Sequence, residues 1–590
     1  MTSDQIVLFC LFGAVFALLL WGRWRYDIVA FAALMAGVVL GVVPAEEAFA
    51  GFGHPATLVV ALVLVVSAGL VRSGAVFLIT RTLVDSSRQL QGHVALMGGI
   101  GGVLSAFMNN VAALALLMPV DVQTARKAGR APGLSLMPLS FATILGGMAT
   151  LIGTPPNIII ASIREETLGA PFRMFDFAPV GGVVAAVGLV FVALIGWRLI
   201  PVRDAAGIAQ EDIAQYIAEL TVPKESSHIG KRLIELEKTA EETDVAILGL
   251  IRDGKRRYGA AINAEIRAGD VLVLEATPDA LEEFRTALSL RFSDEEREEK
   301  LKAQGAGLDI IEVVVPQDAR IAGKTAQAVG LHWRQQSVLL GISRQGRRIT
   351  EEVRRTEIRP GDILLLLVPK DTGDDVNTWL GGLPLADRGL AVTQDSKTWA
   401  AIGIFGAAVL AASLGLLYLP VALGIVVVAY VLLRIVPLNE LYTHIEWPVV
   451  VLLGSMIPLG AALDAAGGTR LIADSLIGLT QGFPVWVVLA ILMVVTMSLS
   501  DVLNNTATTI VAAPVGIEMA TGLGVSPDPF LMAVAVAASS AFLTPIGHKN
   551  NTLILGPGGY RFGDYWRMGL PLEVIVVAVA IPAILVFWPL

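Results

Sequence analysis

The sequence predicts a polytopic α-helical membrane protein. It reads as two inverted repeats, each of five transmembrane helices plus one re-entrant hairpin, separated by an α+β insert of two tandem modules. Three observations lead there. The chain of 590 residues is 55% hydrophobic and 16% charged, with a mean hydropathy of +0.69, whereas a soluble domain carries roughly 25% charged residues. The charges are concentrated, because residues 201–395 hold 26 Lys and Arg and 34 Asp and Glu, leaving 35 charges for all the rest. Finally, the apolar segments before the insert resemble those after it.

A helix needs about 20 apolar residues to cross the hydrocarbon core. Such segments lie near 5–22, 27–43, 55–80, 94–118, 134–162 and 177–199, and again near 398–415, 419–436, 447–477, 484–517, 529–557 and 568–588. The first lacks a basic leader and a small-residue cleavage site, so it reads as a retained helix. Pro44 and Pro55 recur as Pro437 and Pro448 at an offset of 393, Asn109-Asn110 recurs as Asn504-Asn505 at 395, and GTPP (153–156) resembles LTPI (543–546) at 390. The expected domains are therefore residues 1–200 and 396–590 in the membrane, with modules 201–295 and 296–395 between them.

The fourth and fifth segments of each repeat are interrupted. Polar groups facing hydrocarbon cost several kcal/mol each, so irregular backbone is tolerated there only inside protein or along a wet cavity. Residues 94–118 and 484–517 read as re-entrant hairpins with the Asn pairs at their turns. GTPPN (153–157) and TPIGHKNN (544–551) read as breaks in the helices at 134–162 and 529–557, since Pro and Gly stop a helix and free its carbonyls and amides. Five crossings per repeat invert the second. Arg23, Arg25, Arg81, Arg88, Arg126, Lys127, Arg130, Arg434, Arg561 and Arg567 fall on the side of the insert, against Arg164, Arg173 and Arg470 opposite. The positive-inside rule then makes the insert cytoplasmic and both termini external.

The insert repeats internally as well. LGLIRDGKRR (248–257) resembles LGISRQGRRI (340–349), and IRAGDVLVL (266–274) resembles IRPGDILLL (358–366), both at an offset of 92. Branched runs bounded by Gly-Asp turns read as strands. The basic turns GKRR (254–257) and GRRI (346–349) can take an anionic ligand or be solvated hairpins.

Hairpin tips and half-helix ends near the midplane offer carbonyls to a cation and N–H groups to an anion. Asn110 and Asn505 can give oxygens to Na⁺, Thr154 and Thr506 can hold an oxyanion, and Gly153 and Gly547 let backbone approach an ion closely. Asn pairs in membrane helices also serve simply to join helices by hydrogen bonds. Asp501, His548 and Lys549 are ionisable groups in spanning segments and hence candidate charge partners. Lys549 can neutralise an anion, pair with Asp501 or face a vestibule. Asp121 reads as a cytoplasmic helix-end residue, and His54 and His93 as interfacial caps. Cys10 is the only cysteine, which excludes an intrachain disulfide. No nucleophile–base pair, no GxxxxGK[ST] loop in the insert and no basic stripe for nucleic acid is visible, so neither an enzyme nor an ATP-driven pump is indicated.

The hairpin motifs NNV and NNT, GTPPN, and the tail FLTPIGHKNNTLILGPGGYRFGDYWRMGLPLE resemble the divalent anion/sodium symporter family of the ion-transporter superfamily. The repeated IR.GD.LL pattern resembles two tandem TrkA-C domains. The resemblance implies a sodium-coupled symporter of sulfate, a related oxyanion or a dicarboxylate, acting as a homodimer by an elevator-type motion. It implies no cofactor beyond Na⁺ as the coupling ion, and a small-molecule ligand for the TrkA-C pair. The family's hairpin tips carry Ser-Asn-Thr, which here become Asn109, Asn110, Val111 and Asn504, Asn505, Thr506. The implied substrate set adds Thr154, Pro155 and Asn157 from the first break, and Thr544 and Pro545 from the second. The implied sodium set is Asn109, Asn110, Gly153, Asn504, Asn505 and Gly547. With Val111 in place of Thr, a small oxyanion such as sulfate is favoured over a symmetric dicarboxylate. The alternatives are a cation/proton antiporter, for which Asp501 is the only acidic hairpin residue, and a ligand-gated channel, against which no TVGYG-like filter is found.

Overall fold

The computed structural model describes all residues except 22–23, 75–88, 202–216, 244, 253–254, 259–263, 276–277, 293–307, 318, 332–336, 345–346, 350–352, 354, 370–371, 386–396, 481 and 504. Asn504 of the second tip, Arg23, Arg81 and Arg88 therefore lie outside the described residues, as does the end of the segment expected at 55–80. The chain divides into two units. One comprises Met1–Val202, Asp387–Ile554 and Arg561–Leu590, and the other Arg203–Ala386 with Leu555–Tyr560.

The first unit is helical. Its leading half holds α1 (Ser3–Trp21), α2 (Tyr26–Val39), α3 (Pro55–Arg72), α4 (Leu90–Phe107), α5 (Asn110–Lys127), α6 (Gly133–Gly147), α7 (Pro155–Leu168) and α8 (Val183–Leu194). Its trailing half holds α9 (Thr398–Ser413), α10 (Leu419–Leu432), α11 (Trp447–Ala465), α12 (Gly468–Leu479), α13 (Val485–Ser500), α14 (Asn505–Leu523), α15 (Asp528–Ser539), α16 (Lys549–Leu555) and α17 (Tyr565–Phe587). The apolar run 447–477 is thus two helices, divided where Gly467 takes a φ of +74°, a left-handed conformation natural to glycine. Five helices among the described residues are long and apolar enough to cross a membrane.

Helices α6 and α15 are buried nearly all round and form the centre. α6 packs on α4, and α15 on α13 and α14. The outer helices instead expose Val421, Ile425, Val428 and Leu432 of α10 and Val39 of α2, a surface suited to lipid rather than water. Exposed aromatics mark the helix ends: Trp21 on α1, Trp399 on α9, Trp447 on α11, Trp486 on α13 and Trp566 on α17. Amphipathic rings favour the headgroup level.

The second unit contains two five-stranded antiparallel sheets. The first has β1 (Ile217–Thr221), β2 (Ala246–Arg252), β3 (Lys255–Tyr258), β4 (Val271–Glu275) and β5 (Arg291–Phe292) in the order β3-β2-β4-β1-β5. The other has β6 (Leu308–Val314), β7 (Val338–Arg344), β8 (Arg347–Ile349), β9 (Ile363–Pro369) and β10 (Leu383–Pro384) in the order β8-β7-β9-β6-β10. Strand for strand these are one topology. Both carry a register slip on the second strand, at Ile247/Gly249 and at Leu339/Gly341. Each Gly-Asp turn explains its motif. Gly269 and Gly361 both sit at a φ of +83°, and Asp270 and Asp362 accept the backbone N–H of Arg267 and Arg359. Arg252 and Arg344 then clamp those carboxylates bidentately. The hydrogen bond to Asp362 holds the Arg344 guanidinium above its ordinary pKa, against the opposing effect of burial. The basic turns are the β2–β3 and β7–β8 hairpins, with Gly254 and Gly346 outside the described residues.

Candidate functional site

The first Asn pair stands where α4 ends and α5 begins. Asn109 is the N-cap of α5, its Oδ1 accepting from the Val111 N–H at 2.8 Å. A cap supplies one of the first turn's missing acceptors. Asn110 points inward and is 4% exposed. Its Oδ1 accepts from Ser105 Oγ at 2.7 Å, its Nδ2 lies 3.3 Å from His548 Nε2, and its backbone carbonyl accepts from Asn550 Nδ2 at 3.2 Å. Asn110 therefore ties the first half of the unit to the second.

The break between α6 and α7 lies against this tip. Pro155 occupies the first turn of α7 and places Thr154 in an extended conformation, φ −146° and ψ 143°, as a residue before proline prefers. Glycine is obligatory at two positions here. A Cβ on Gly147 would strike Asn110 Oδ1 and come within 3.0 Å of the Gly153 carbonyl oxygen; one on Gly153 would strike the Gly147 carbonyl oxygen and come within 2.9 Å of that of Ser105. Asn110 Oδ1 and the carbonyl oxygens of Ser105, Gly147 and Gly153 are thus gathered around these two glycines. Two further buried oxygens have no hydrogen-bond partner among the described residues: Thr154 Oγ1, in a residue 1% exposed, and Asn550 Oδ1. Asn157 is engaged otherwise. Its amide donates to the carbonyls of Met148 and Thr150, at 3.3 and 2.8 Å, and so holds the break in shape.

The second tip joins α13 to α14. Asn505 Oδ1 accepts from the Thr506 N–H at 2.8 Å and from its Oγ1 at 3.3 Å. The second break, residues 540–548, repeats contacts of the first 394 residues later. The Thr150 hydroxyl donates to the carbonyl of Ala106, and Thr544 Oγ1 donates to that of Asp501 at 2.6 Å. The Asn551 amide reaches the carbonyls of Ala541 and Thr544 at 3.0 and 3.1 Å, as that of Asn157 reaches Met148 and Thr150. A Cβ on Gly547 would approach the Ser500 carbonyl oxygen within 2.9 Å, as one on Gly153 would approach that of Ser105.

This corrects the offset of 390 suggested by GTPP and LTPI. The shared Thr-Pro is coincidental, and the structural partner of Thr154 is His548. The partner of Thr544 is Thr150, and the Thr544 hydroxyl is already occupied by Asp501 and by the N–H groups of Ile546 and Gly547. Pro545 is buried, and its carbonyl accepts from Thr552.

The candidate charge partners do not form one group. Lys549 Nζ meets Glu446 Oε2 at 2.6 Å and lies 5.7 Å from the centre of the Tyr26 ring, so its carboxylate partner is Glu446 rather than Asp501. Asp501 faces Glu573 of α17. The two ring nitrogens of His548 lie beside Asn110 Nδ2 and the Asn550 N–H. His54 does cap α3, accepting from Ala56 N–H. His93 and Asp121 are not interfacial. They are 1% and 0% exposed, their side chains meet at 2.7 Å, and Ser135 Oγ donates to the other Asp121 oxygen at 2.7 Å. Sequence reasoning missed Ser105, Thr143, Asn550 and Glu573. The second Asn pair of HKNN, Asn550-Asn551, was a usable signal, because two amides in an apolar stretch need partners. Ser105 and Glu573 carried none, being single polar residues whose partners are distant in sequence.

A family model described as citrate transporter matches residues 16–530 and 488–590. The chain belongs to the citrate transporter family. This is a family of membrane transporters, not enzymes. The transporter is 30% identical over 550 residues to an uncharacterized transporter of Synechocystis sp., covering 91% of this chain and 90% of that one. It is 28% identical to the transporter YfbS of Escherichia coli over the full length of both. It is also 25% identical over 377 residues to sodium/sulfate cotransporter 2 of Chlamydomonas reinhardtii, covering 59% and 42% of the two chains.

Proposed function

We propose that this transporter is a sodium-coupled symporter of a small oxyanion of the sulfate class. One observation carries the reading: the oxygens of Asn110, Ser105, Gly147 and Gly153 gather around two obligatory glycines, beside the unpartnered hydroxyl of Thr154. Oxygens without protons suit a hard cation. A free hydroxyl at the N-terminus of α7 suits an anion, because unpaired amides and the helix dipole there favour negative charge. The sodium/sulfate name of the algal relative agrees with it. The sodium set is Asn110 and Gly153 and, by recurrence at 395 and 394 residues, Asn505 and Gly547, with Asn109 capping α5 and Asn504 at the matching sequence position. The anion set is Thr154, Val111 and Thr506 with the N-termini of α5, α7 and α14.

In this reading the two halves are inverted repeats, and the tips and breaks carry substrate across by an elevator motion in a homodimer. The protein sits in the cell membrane with its termini outside. The duplicated sheets are a cytoplasmic TrkA-C pair that regulates transport through a small ligand. The energetics require sodium. The membrane potential supplies about 2.3 kcal/mol per charge per 100 mV, so a dianion needs two Na⁺ for balance and a third to be driven inward.

The test is uptake of labelled sulfate, succinate and citrate into proteoliposomes, with a sodium gradient and with K⁺ in its place, for the natural protein and Asn110→Ala. Sodium-dependent sulfate uptake lost in the variant is the expected result. Uptake of citrate or succinate alone would replace the substrate class. Sodium flux driven by a pH gradient without anion uptake would favour the antiporter reading.

A further inference from the structure

Asn550, on α16, is 0% exposed, and its side chain contacts the first half of the unit. Its Nδ2 lies 2.8 Å from Thr143 Oγ1 and 3.2 Å from the backbone carbonyl oxygen of Asn110. Both neighbours can only accept. A carbonyl has no proton, and the Thr143 hydroxyl donates its own to the Ser140 carbonyl at 2.7 Å. The amide is therefore locked in one orientation, because turning it over would set Oδ1 against two acceptors. The other arm of the amide is then an oxygen, and Asn550 Oδ1 is buried with no donor among the described residues.

A buried acceptor without a partner is costly, and each such group calls for an explanation. The position of this one supplies it. Thr143 and Gly147 stand four residues apart on α6, and so on one face of it. Gly147 is packed against Asn110 Oδ1 and the Gly153 carbonyl oxygen. Asn550 thus binds α6 one turn from the oxygens that suit a hard cation. A fully ionised oxyanion has no proton to offer a carbonyl oxygen and repels it, whereas a cation attracts it. The recurrence between the halves does not foreshadow this residue, since 394 positions before Asn550 stands Pro156, which has no polar side chain.

We propose, on the sodium reading of the first tip, that Asn550 Oδ1 is a further cation ligand there, lent by the second half. The site then takes oxygens from both halves of the unit. Its Nδ2 bonds hold the Asn550 amide in place before the ion arrives, so the oxygen is pre-oriented rather than recruited. Binding ties the first tip to the helix that follows the second break, and sodium at one tip thereby steadies the other region.

The test reads sodium directly and needs no transported anion. Full-length protein in lipid nanodiscs is melted as Na⁺ replaces K⁺ at constant ionic strength, for the natural chain, Asn550→Ser, Thr143→Val and Asn110→Ala. A ligand that binds only the folded protein raises its melting temperature, so the Na⁺ concentration giving half the rise reports the site. Asn550→Ser should raise that concentration about tenfold. Thr143→Val removes one Nδ2 bond and keeps the oxygen, so it should melt lower in both salts with the half-effect concentration unchanged. Hydrogen exchange on the natural chain covers the case in which Asn550→Ser does not fold: Na⁺ should slow exchange at residues 549–555 as well as at 105–111. An unchanged half-effect concentration in Asn550→Ser, an equal shift in Thr143→Val, or protection of 105–111 alone would overturn the proposal. If Asn110→Ala alone loses the response, the sodium reading stands without Asn550. No response to Na⁺ in the natural chain would remove both. The expected sodium responses without sulfate uptake would count against the symport reading alone.

Discussion

The two tip-and-break regions share a scaffold and differ in what the scaffold presents. In both, a threonine hydroxyl ties the break to the end of the helix that precedes the tip, an asparagine amide gathers two break carbonyls, and a glycine lets the tip backbone pass. The first region spends little polarity on itself. Ala106 is inert, Thr154 Oγ1 has no partner, and Asn110 reaches across to the other half. The second is bound internally through Asp501, Glu573 and Thr544. The shared contacts are those that shape a break, and the differences fall on the residues left over for ligands. Recurrence at a fixed offset therefore separates scaffold from chemistry more reliably than motif likeness does.

The sharpest way to break this comparison is at the glycines. Gly153→Ala drives a methyl into the Gly147 carbonyl, and Gly547→Ala drives one toward the Asp501 backbone. Overpacking costs about 1–3 kcal/mol. Both variants should melt lower, and the first should also lose sodium-dependent uptake almost completely. Normal uptake by a folded Gly153→Ala would disconnect the oxygen cluster from sodium. Asparagine comes next. Asn110→Ala leaves Ser105 and His548 with broken partners in the interior, costing about 1–3 kcal/mol, whereas among the described residues Asn505→Ala removes bonds to the neighbouring Thr506 within its own turn. Equal melting of the two variants would contradict the unequal roles assigned here.

Threonine sharpens the contrast with smaller effects. Thr154→Val removes a hydroxyl with no hydrogen-bond partner among the described residues, so stability should hold while anion affinity drops about tenfold, or ~1.4 kcal/mol. Thr544→Val unties Asp501 and Gly547 and should lower stability by about 1 kcal/mol with a weaker effect on affinity. The reverse pattern would restore Thr544 as the substrate residue. The smallest effect is expected in the duplicated sheets. Arg252→Lys and Arg344→Lys each lose one arm of a bidentate clamp, about 1 kcal/mol. Matching losses in chemical denaturation would support equivalence of the two modules.

Much of the architecture was legible because it depends on local pattern. Helix breaks were placed by Pro155, Pro545 and the Asn pairs, since proline and unpaired amides impose their cost wherever they stand. The Gly-Asp turns of the insert were visible because a left-handed position followed by a capping carboxylate has a short signature. Asp121 and His93 were misplaced, and the partner of Lys549 was left open, because burial of a charge depends on a partner that local pattern does not reveal. Asp121 meets His93 and Ser135, and Lys549 meets Glu446, across gaps of up to 103 residues. The GTPP and LTPI alignment failed for a related reason: Thr-Pro marks a helix start anywhere and carries no information about register.

The sequence by itself determined a helical membrane chain, its interrupted segments, the duplicated insert and the residue types available to bind ions. These follow from transfer energies and backbone restrictions that act within a few residues. Only the tertiary structure decided which oxygens converge, which hydroxyl stays free and which acids face each other. Those outcomes depend on helices meeting from opposite ends of the chain, as Asn110 meets His548 and Ser140 meets Asn551, and a buried polar group takes its role from whatever partner packing brings to it.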